Sequence, residues 1–378
     1  MKSSIAGLAV CLAACAEEPP STTSVDQEVL GTPTADLHRG VARIHSLDGA
    51  GNRTGVFVAP DLVATTWAAL TPISWSPGEP VPRIVVEHGW VSTNSTRNQL
   101  IAAFVDDIRV HPAGELVLLH LVEPLVPAMD FPPVAAAPPA AGSTMRCVAY
   151  NRQSGNLRVG FFEVERTSPG AISFFSDIGD PHGGEDLAAV CSDELHHNIH
   201  GLFLGVSRFA DTTALALVDH REWIAGQIFL SDLRRALPFS AARKLVSRSN
   251  GKCLDVPGAE PWDGLELNQF VCSSTVARNQ QWYVDTRVAP ARLVSASTGK
   301  CVTAGSGGLV QASCGTAASQ RWTSRVILSR PNGLAFDNAG QCMTAIPGGY
   351  DGVQVRLTPC SQATFPLLPP NTQAWAWQ

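Results

Sequence analysis

The sequence predicts an all-β protein with two folded domains behind an N-terminal leader. Between residues 37 and 235, short apolar runs alternate with Gly/Pro turns, and a helical pattern occurs only at the end. From 241 onward, a strand–turn–strand pattern occurs three times. Both patterns are typical of antiparallel β-structure, and 32 glycines and 27 prolines make turns frequent.

The charge composition excludes several classes of protein. The 27 Lys and Arg residues face 33 Asp and Glu residues, which gives a formal net charge of −6, and only 16% of the chain is charged. A weakly acidic chain lacks the positive field that nucleic-acid binding requires, so we expect no nucleic-acid partner. The low charge density also argues against a disordered protein.

The N-terminus combines Lys2 with an apolar stretch, Ile5–Ala14, that is shorter than the roughly 20 residues of a membrane span. The stretch leads into Leu-Ala-Ala-Cys, which resembles the lipobox of bacterial lipoproteins. The resemblance implies a signal peptide over 1–14 and a lipid on Cys15, and the polar segment 15–36 would be a flexible tether. Ordinary secretion with cleavage near Cys15 is the alternative.

The cysteine count also points to an exported protein. Of ten cysteines, Cys11 would leave with the leader and Cys15 would carry the lipid, so eight remain. An even number in an exported chain predicts four disulfides.

The C-terminal region contains an internal repeat. The segment 245–253 is nearly restated at 293–301 and more loosely at 334–342, and each copy ends in a cysteine. Each copy then has a second cysteine and closes with Gln-x-Trp, at 280–282, 320–322 and 373–375. A single copy of about 40 residues cannot bury enough surface to fold alone, whereas three can share one core.

These features resemble the ricin-type β-trefoil lectins, over 241–378. The resemblance implies one disulfide within each copy: Cys253–Cys272, Cys301–Cys314 and Cys342–Cys360. Sugar sites of that family use an Asp after the first cysteine, an aromatic platform and a polar residue before the second, and an Asn beside the Gln. The first copy matches this set with the following residues: Asp255, Asn268, Phe270, Asn279 and Gln280.

The other two copies lack the sugar-binding set. Thr303 and Thr344 stand at the Asp position, and Ala312 and Thr358 at the aromatic position. We therefore expect a single site in the first copy, where the Asp accepts hydrogen bonds from sugar hydroxyls and the ring stacks on the sugar. The alternative is a trefoil that serves only as a structural module.

Four segments of the region 37–235 resemble trypsin-like serine proteases, which implies a double β-barrel with a disulfide in the second barrel. They occur in the family's order: 54–70 before the His, 110–121 around the Asp, the pair Cys147–Cys191, and 218–224 at the C-terminal helix.

The residues at the triad positions do not match those of an active protease. Ala68 stands at the His position and Glu115 at the Asp position, while Pro181, His182 or Glu185 stands at the Ser position, depending on the register. Acyl transfer needs a nucleophile, a base and an orienting carboxylate, so we expect no catalytic residues and interpret the domain as a pseudoprotease.

The histidine-rich segment 193–200 is interpreted as a solvated hairpin loop, and we expect neither a metal site nor a cofactor. The sequence thus predicts a lipid-anchored protein of the bacterial outer membrane or cell surface that binds a galactose-like or other neutral sugar. The barrel domain would serve as a scaffold or bind a protein partner. The alternatives are a serine endopeptidase directed to glycosylated substrates, and an interaction protein that binds no sugar.

Overall fold

The structure is a computed structural model of the chain. The residues it describes are 40–47, 51–71, 75, 79–90, 99–125, 133–150, 157–174, 189–193, 198–205, 212–237, 241–275, 277–327, 333–360 and 372–378. The signal peptide, Cys15, the tether and the three alternatives for the Ser position all lie outside these residues. Within them, no helix is both long and apolar enough to cross a membrane.

Six strands form a first closed barrel in the order β1-β2-β3-β6-β5-β4. These are β1 Val41–Ser46, β2 Arg53–Ala59, β3 Leu62–Thr66, β4 Ile84–Trp90, β5 Gln99–Val110 and β6 Leu116–Leu121. The barrel is filled by aliphatic side chains and Phe57, since the alternation of the strands turns these toward its axis.

Six further strands form a second closed barrel. These are β7 Thr144–Tyr150, β8 Leu157–Ser168, β9 Ala171–Phe174, β10 Val190–Asp193, β11 Ile199–Gly205 and β12 Thr212–Ala216. Its order, β7-β8-β9-β12-β11-β10, repeats that of the first barrel. Two six-stranded barrels with the same connectivity confirm the predicted double-barrel fold.

Two helices accompany the barrels in the described residues. The sixteen-residue helix α2, Arg221–Ala236, is the predicted C-terminal helix, preceded by one 3-10 turn at Leu217–His220. The second, α1 at Trp67–Leu70, was not expected, because we placed a helix only at the end of the region. It is a single turn whose first residues are capped by Thr66, which accepts a hydrogen bond from the Ala69 N–H at 3.3 Å.

The C-terminal region forms one thirteen-stranded sheet network built from three lobes. Lobe 1 has β13 Arg243–Ser247, β14 Cys253–Asp255, β15 Asn268–Phe270 and β16 Gln281–Asp285; lobe 2 has β17 Arg292–Ser295, β18 Cys301–Ala304, β19 Leu309–Ala312 and β20 Thr323–Val326. Lobe 3 has β21 Leu334–Asn338, β22 Gln341–Thr344, β23 Val353–Gln354, β24 Arg356–Pro359 and β25 Trp375–Trp377. The three repeated segments form the hairpins β13–β14, β17–β18 and β21–β22.

The three Gln-x-Trp tryptophans share one buried core. Each indole N–H donates to the carbonyl that follows the first cysteine of its own lobe: Trp282 to Leu254 at 3.1 Å, Trp322 to Val302 at 2.9 Å and Trp375 to Met343 at 3.1 Å. A buried indole N–H needs such a partner, so each tryptophan also fixes the strand beside it.

Four disulfides are formed among the residues that the structure describes, and they are the pairs that the two resemblances imply. Cys147–Cys191 joins β7 to β10 in the second barrel, and Cys253–Cys272, Cys301–Cys314 and Cys342–Cys360 each close one lobe.

Helix α2 joins the barrels to the trefoil within one compact unit. Trp223 and Ile224 pack into the core between the barrels, whereas Leu230 and Leu233 pack against Val294 of lobe 2. The contact is stabilised further by Gln227, whose amide donates to the Ser297 carbonyl at 2.6 Å. The helix is therefore buried on two sides.

The approach of α2 to lobe 2 requires glycine on both sides. A Cβ on Gly226 would lie 2.0 Å from the Thr298 carbonyl oxygen, and one on Gly299 would lie 1.8 Å from the Gly226 oxygen. Gly299 also has a φ of +71°, which favours glycine. The two backbones meet with no room for a methyl group.

Candidate carbohydrate site

The predicted site residues of lobe 1 come together on the β14–β15 hairpin and the turn before β16. Asp255 lies opposite Asn268, and Cys253 lies opposite Phe270. Because facing residues of an antiparallel pair point to the same side of the sheet, these side chains share one face. The alternate residues Leu254 and Gln269 are fully buried on the other face.

A polar acceptor and an aromatic ring thus lie side by side on this face. The ring of Phe270 is 39% exposed, whereas Asp255 is only 4% exposed. Aromatic rings stack on the apolar face of a sugar, and a carboxylate accepts hydrogen bonds from its hydroxyls. The arrangement therefore has the two contacts that a sugar site requires.

Asn279 holds the Asp255 carboxylate in position. Its Nδ2 donates to Asp255 Oδ2 at 2.8 Å, and its carbonyl accepts from the Val256 N–H at 2.9 Å. Asn279 occupies the middle of a 3-10 turn, Arg278–Gln280, so the turn carries the amide to the carboxylate.

Gln280 has a positioning role. Its Oε1 accepts from the Ser273 N–H at 2.8 Å, and its Nε2 donates to the Val271 carbonyl at 3.0 Å. The side chain is buried, so it supports the segment after Phe270 from below rather than facing solvent. Gln320 bridges the equivalent segment of lobe 2, where it accepts from Gly315 and donates to Ser313.

The Asp255 carboxyl group is hard to ionise. Burial, with a smaller contribution from the negative charge of Asp351, raises its pKa to about 6, although hydrogen bonding to Gln280 works against this rise. The carboxyl group is thus ionised at neutral pH and loses its charge in mildly acidic solution.

We expect sugar binding to weaken as the pH falls from 7 to 5, with a midpoint near the Asp255 pKa of about 6. Protonation removes the charge that strengthens hydrogen bonds from sugar hydroxyls. Protonation of Asp255 does not lower the free energy of unfolding. Its pKa is raised in the folded state, so the folded state is stabilised as the pH falls below about 6. Calorimetric titrations across this range test the expectation, and an Asp255→Asn variant should show weak binding without this pH dependence.

Lobes 2 and 3 use a threonine where lobe 1 has Asp255. The Thr303 hydroxyl donates to the Cys301 carbonyl at 3.0 Å and accepts from Gln320 at 3.2 Å. The Thr344 hydroxyl pairs with the Cys342 carbonyl at 2.9 Å and with the Thr358 hydroxyl at 2.7 Å. Both hydroxyls are already used within their lobes.

Arg278, which no sequence pattern indicates, links the site to the first barrel. Arg278, which precedes Asn279, makes a two-pronged ion pair with Asp107 of β5, and its Nη1 lies 3.0 Å from Asp107 Oδ2. Arg109 and Arg234 reach the same oxygen at 3.0 and 3.4 Å. The pair Asp106–Asp107 within a long strand was the available signal, but nothing in the sequence pointed to its partner.

The triad positions of the first barrel lie side by side in the structure. Trp67, next to Ala68, donates its N–H to the Glu115 carbonyl at 2.8 Å. The Glu115 side chain is exposed, and the methyl group of Ala68 offers it no imidazole to orient. No three His, Cys, Asp or Glu side chains among the described residues are arranged to hold a metal ion.

A serine, an aspartate and a histidine meet elsewhere, below α2. Ser231 Oγ donates to Asp61 Oδ2 at 2.5 Å, and His120 Nε2 lies 3.6 Å from the same oxygen. The serine hydroxyl thus donates its hydrogen bond to a carboxylate and not to an imidazole, and Ser231 is fully buried. A catalytic triad needs the hydrogen-bond order Ser–His–Asp and a serine that substrate can reach, and this cluster has neither.

Comparison with known proteins identifies the C-terminal domain. Residues 241–364 match the family model of the ricin-type β-trefoil lectin domain. The match spans less than half of the chain, so it identifies this domain, which is a ricin-type β-trefoil lectin domain, and not the whole protein. No curated protein matches the chain in sequence.

Solved structures similar to this chain include one designed and two natural proteins. The designed three-fold symmetric protein ThreeFoil is 24% identical over 36% of this chain and 96% of its own, with a TM-score of 0.31. The scabies mite inactivated protease paralogue S-I1 is 13% identical, covering 53% of this chain and 99% of its own (TM-score 0.42). Neuropsin, a serine protease of mouse brain, is 12% identical over 52% of this chain and 97% of its own, with a TM-score of 0.41. The double-barrel fold rests on the strand order, since these scores are low.

Proposed function

We propose that the protein binds neutral glycans through lobe 1 of its trefoil. The proposal rests chiefly on one observation, the Asp255 carboxylate held by Asn279 beside the half-exposed ring of Phe270. The other lobes have threonines that are hydrogen-bonded within the lobe at the acceptor position, so they supply no comparable acceptor.

Neutral sugars fit this chemistry best. A sugar hydroxyl donates to Asp255 while the apolar face of the ring lies on Phe270, and neither contact needs a charge on the ligand. The chain as a whole carries a net charge of −6, which does not favour anionic glycans. A galactose-like or other neutral sugar is therefore the proposed ligand class.

Replacing Asp255 with alanine in the full-length protein is expected to lower glycan affinity about a hundredfold. Two charge-assisted hydrogen bonds of about 1.5 kcal/mol each would be lost, and about 1.4 kcal/mol corresponds to a factor of ten. A glycan array followed by titration calorimetry measures the effect. The matched controls Thr303→Ala and Thr344→Ala remove the equivalent side chains of lobes 2 and 3 and should bind like the wild type. Unchanged binding by Asp255→Ala would refute the site.

We further propose that the double barrel is a non-catalytic scaffold. Ala68 supplies no base at the His position, so Glu115 has no imidazole to orient. The Asp107–Arg278 ion pair ties β5 to the turn that carries Asn279. The barrel thus positions the sugar site, and its remaining surface is free to bind a protein partner. Covalent labelling of the intact chain by a fluorophosphonate would instead favour the serine endopeptidase.

The proposed location is the bacterial cell envelope, with the chain anchored through a lipid on Cys15. The four disulfides support export, because such bonds persist in oxidising compartments. The lipobox-like Leu-Ala-Ala-Cys segment supports the anchor. Incorporation of labelled palmitate into the wild type and not into Cys15→Ala is the direct test.

A further inference from the structure

A loop of lobe 3 lies along the outer edge of β15 in lobe 1. This loop, residues 346–352, is clamped by Gln269 of β15. The Gln269 side chain donates to the Ile346 carbonyl at 3.0 Å and accepts from the Ile346 N–H at 3.0 Å, while its carbonyl accepts from the Gly352 N–H at 3.0 Å. Gln269 is fully buried, so the loop is held firmly at the edge of β15.

Asp351 brings the tip of the loop next to the platform residue. Its carboxylate accepts from the Val271 N–H at 3.0 Å and from Lys252 Nζ at 2.8 Å. Val271 directly follows Phe270, and the charge of Asp351 is close enough to Asp255 to contribute to the raised pKa of that group. The loop therefore borders the site on the side of β15 away from β14.

Packing within the protein does not explain two features at the boundary between this loop and the lobe-1 site. Tyr350, beside Asp351, is 86% exposed, although its backbone lies in a clamped loop. Asn268 is 8% exposed and has a buried side-chain oxygen without a hydrogen-bond partner. Its Nδ2 faces the loop, 3.9 Å from where a Cβ on Gly352 would lie. A buried polar oxygen without a partner calls for an explanation, such as a ligand that donates to it, and an exposed tyrosine ring beside it can supply a stacking contact.

We propose that Tyr350 provides a second aromatic contact beside the lobe-1 site, so that the site takes a neutral oligosaccharide rather than a single sugar. One ring stacks on Phe270 and is held by Asp255, and the next ring extends over the loop to Tyr350. This inference rests on the proposed sugar-binding function. It assigns to lobe 3 a role in specificity although lobe 3 lacks an acceptor of its own.

The chain offers a matched control for Tyr350 in the loop that borders lobe 2. There Asp263 accepts from the Ser313 N–H at 2.8 Å and pairs with Lys300, as Asp351 does with Val271 and Lys252. The preceding residue, Trp262, is 50% exposed. Trp262 thus has the position of Tyr350, but its loop borders a lobe with Thr303 and Ala312 in place of the carboxylate and the platform.

The test uses the full chain on an array of neutral mono-, di- and trisaccharides built from galactose, glucose, mannose and xylose. We expect the wild type to bind at least one di- or trisaccharide about tenfold more tightly than its terminal monosaccharide, because a second stacked ring adds to the first. Tyr350→Ala should remove that gain and leave monosaccharide binding unchanged. Tyr350→Phe, which keeps the ring, should retain most of it, and Trp262→Ala should have no effect.

The outcomes separate this inference from the proposed function. Equal binding of mono- and oligosaccharides by the wild type, or an unaltered oligosaccharide preference in Tyr350→Ala, overturns the inference while Asp255-dependent binding still stands. Loss of monosaccharide binding in Tyr350→Ala overturns it too, because Tyr350 would then belong to the primary site. Absence of binding to every sugar by the wild type overturns both.

Discussion

Replacing Gly299 with alanine is expected to undock the trefoil from helix α2. The new methyl group would lie 1.8 Å from the Gly226 carbonyl oxygen and 2.4 Å from its carbon, so the two backbones must separate. Overpacking of this kind costs about 1–3 kcal/mol, and the positive φ of +71° adds about 1 kcal/mol. Urea unfolding followed by tryptophan fluorescence should show a lower midpoint and a transition that splits in two.

Gly251 provides the control for this experiment. It closes the equivalent β13–β14 turn of lobe 1 with a φ of +74°, but a Cβ there would have no atom within 4 Å. Gly251→Ala therefore carries the same backbone strain without the collision and should cost only about 1 kcal/mol. Equal destabilisation by the two variants would show that the close approach to α2 contributes nothing.

Replacing Asp107 with alanine is expected to destabilise the protein by about 3–5 kcal/mol, because it leaves Arg109 buried without its carboxylate. Burial by itself would raise the pKa of Asp107, but hydrogen bonds and positive charge from Arg278 and Arg109 hold that pKa below its usual range. The group therefore stabilises the folded state above about pH 4, and this contribution is lost in more acidic solution.

The Asp107 substitution should also weaken glycan binding, since Arg278 would no longer be held and Asn279 follows it in the same turn. Unfolding at pH 7 and glycan titration measure the two effects. Asp232→Ala, which removes an exposed ion pair with Arg235, is the control and should cost under about 1 kcal/mol. If the two variants unfold alike, the ion-pair cluster is not a stabilising element.

Together these two contacts make the trefoil and the barrels one mechanical unit. Gly299 of lobe 2 packs against α2, and Arg278 of lobe 1 forms an ion pair with Asp107 of β5. A sugar at the proposed lobe-1 site would therefore be held in a fixed orientation relative to the barrels, as the proposed scaffold role requires.

Local patterns were sufficient to predict much of the architecture. The repeated Gly-x-Cys hairpins and Gln-x-Trp segments predicted three lobes around three tryptophans, because each lobe buries its own Trp in the same way. The resemblance to ricin-type lectins selected Asp255 by its position after Cys253 and Phe270 by its position before Cys272, and the β14–β15 pairing brings the two side chains onto one face.

Local patterns could not predict the contacts between segments that are far apart in the sequence. Asp107 and Arg278 are 171 residues apart, and no local sequence motif indicates that they form a pair. The helical turn α1 was missed because one Thr66 cap within a strand-rich segment is too weak a signal. The role proposed for Tyr350 likewise depends on a lobe 3 loop that lies along β15 of lobe 1.

The sequence by itself determined the all-β class and the lobe repeat. These follow from apolar runs, turn residues and repeat spacing, since a short chain segment has few ways to fold. The cysteine pairs, and the expectation that lobe 1 has the sugar acceptor, came from the resemblance of these patterns to known families. Only the tertiary structure decided that α2 joins the barrels to the trefoil, that Asp107 holds the turn of Asn279, and that Tyr350 borders the site. Those contacts depend on close packing between surfaces formed by separate segments, which no local pattern encodes.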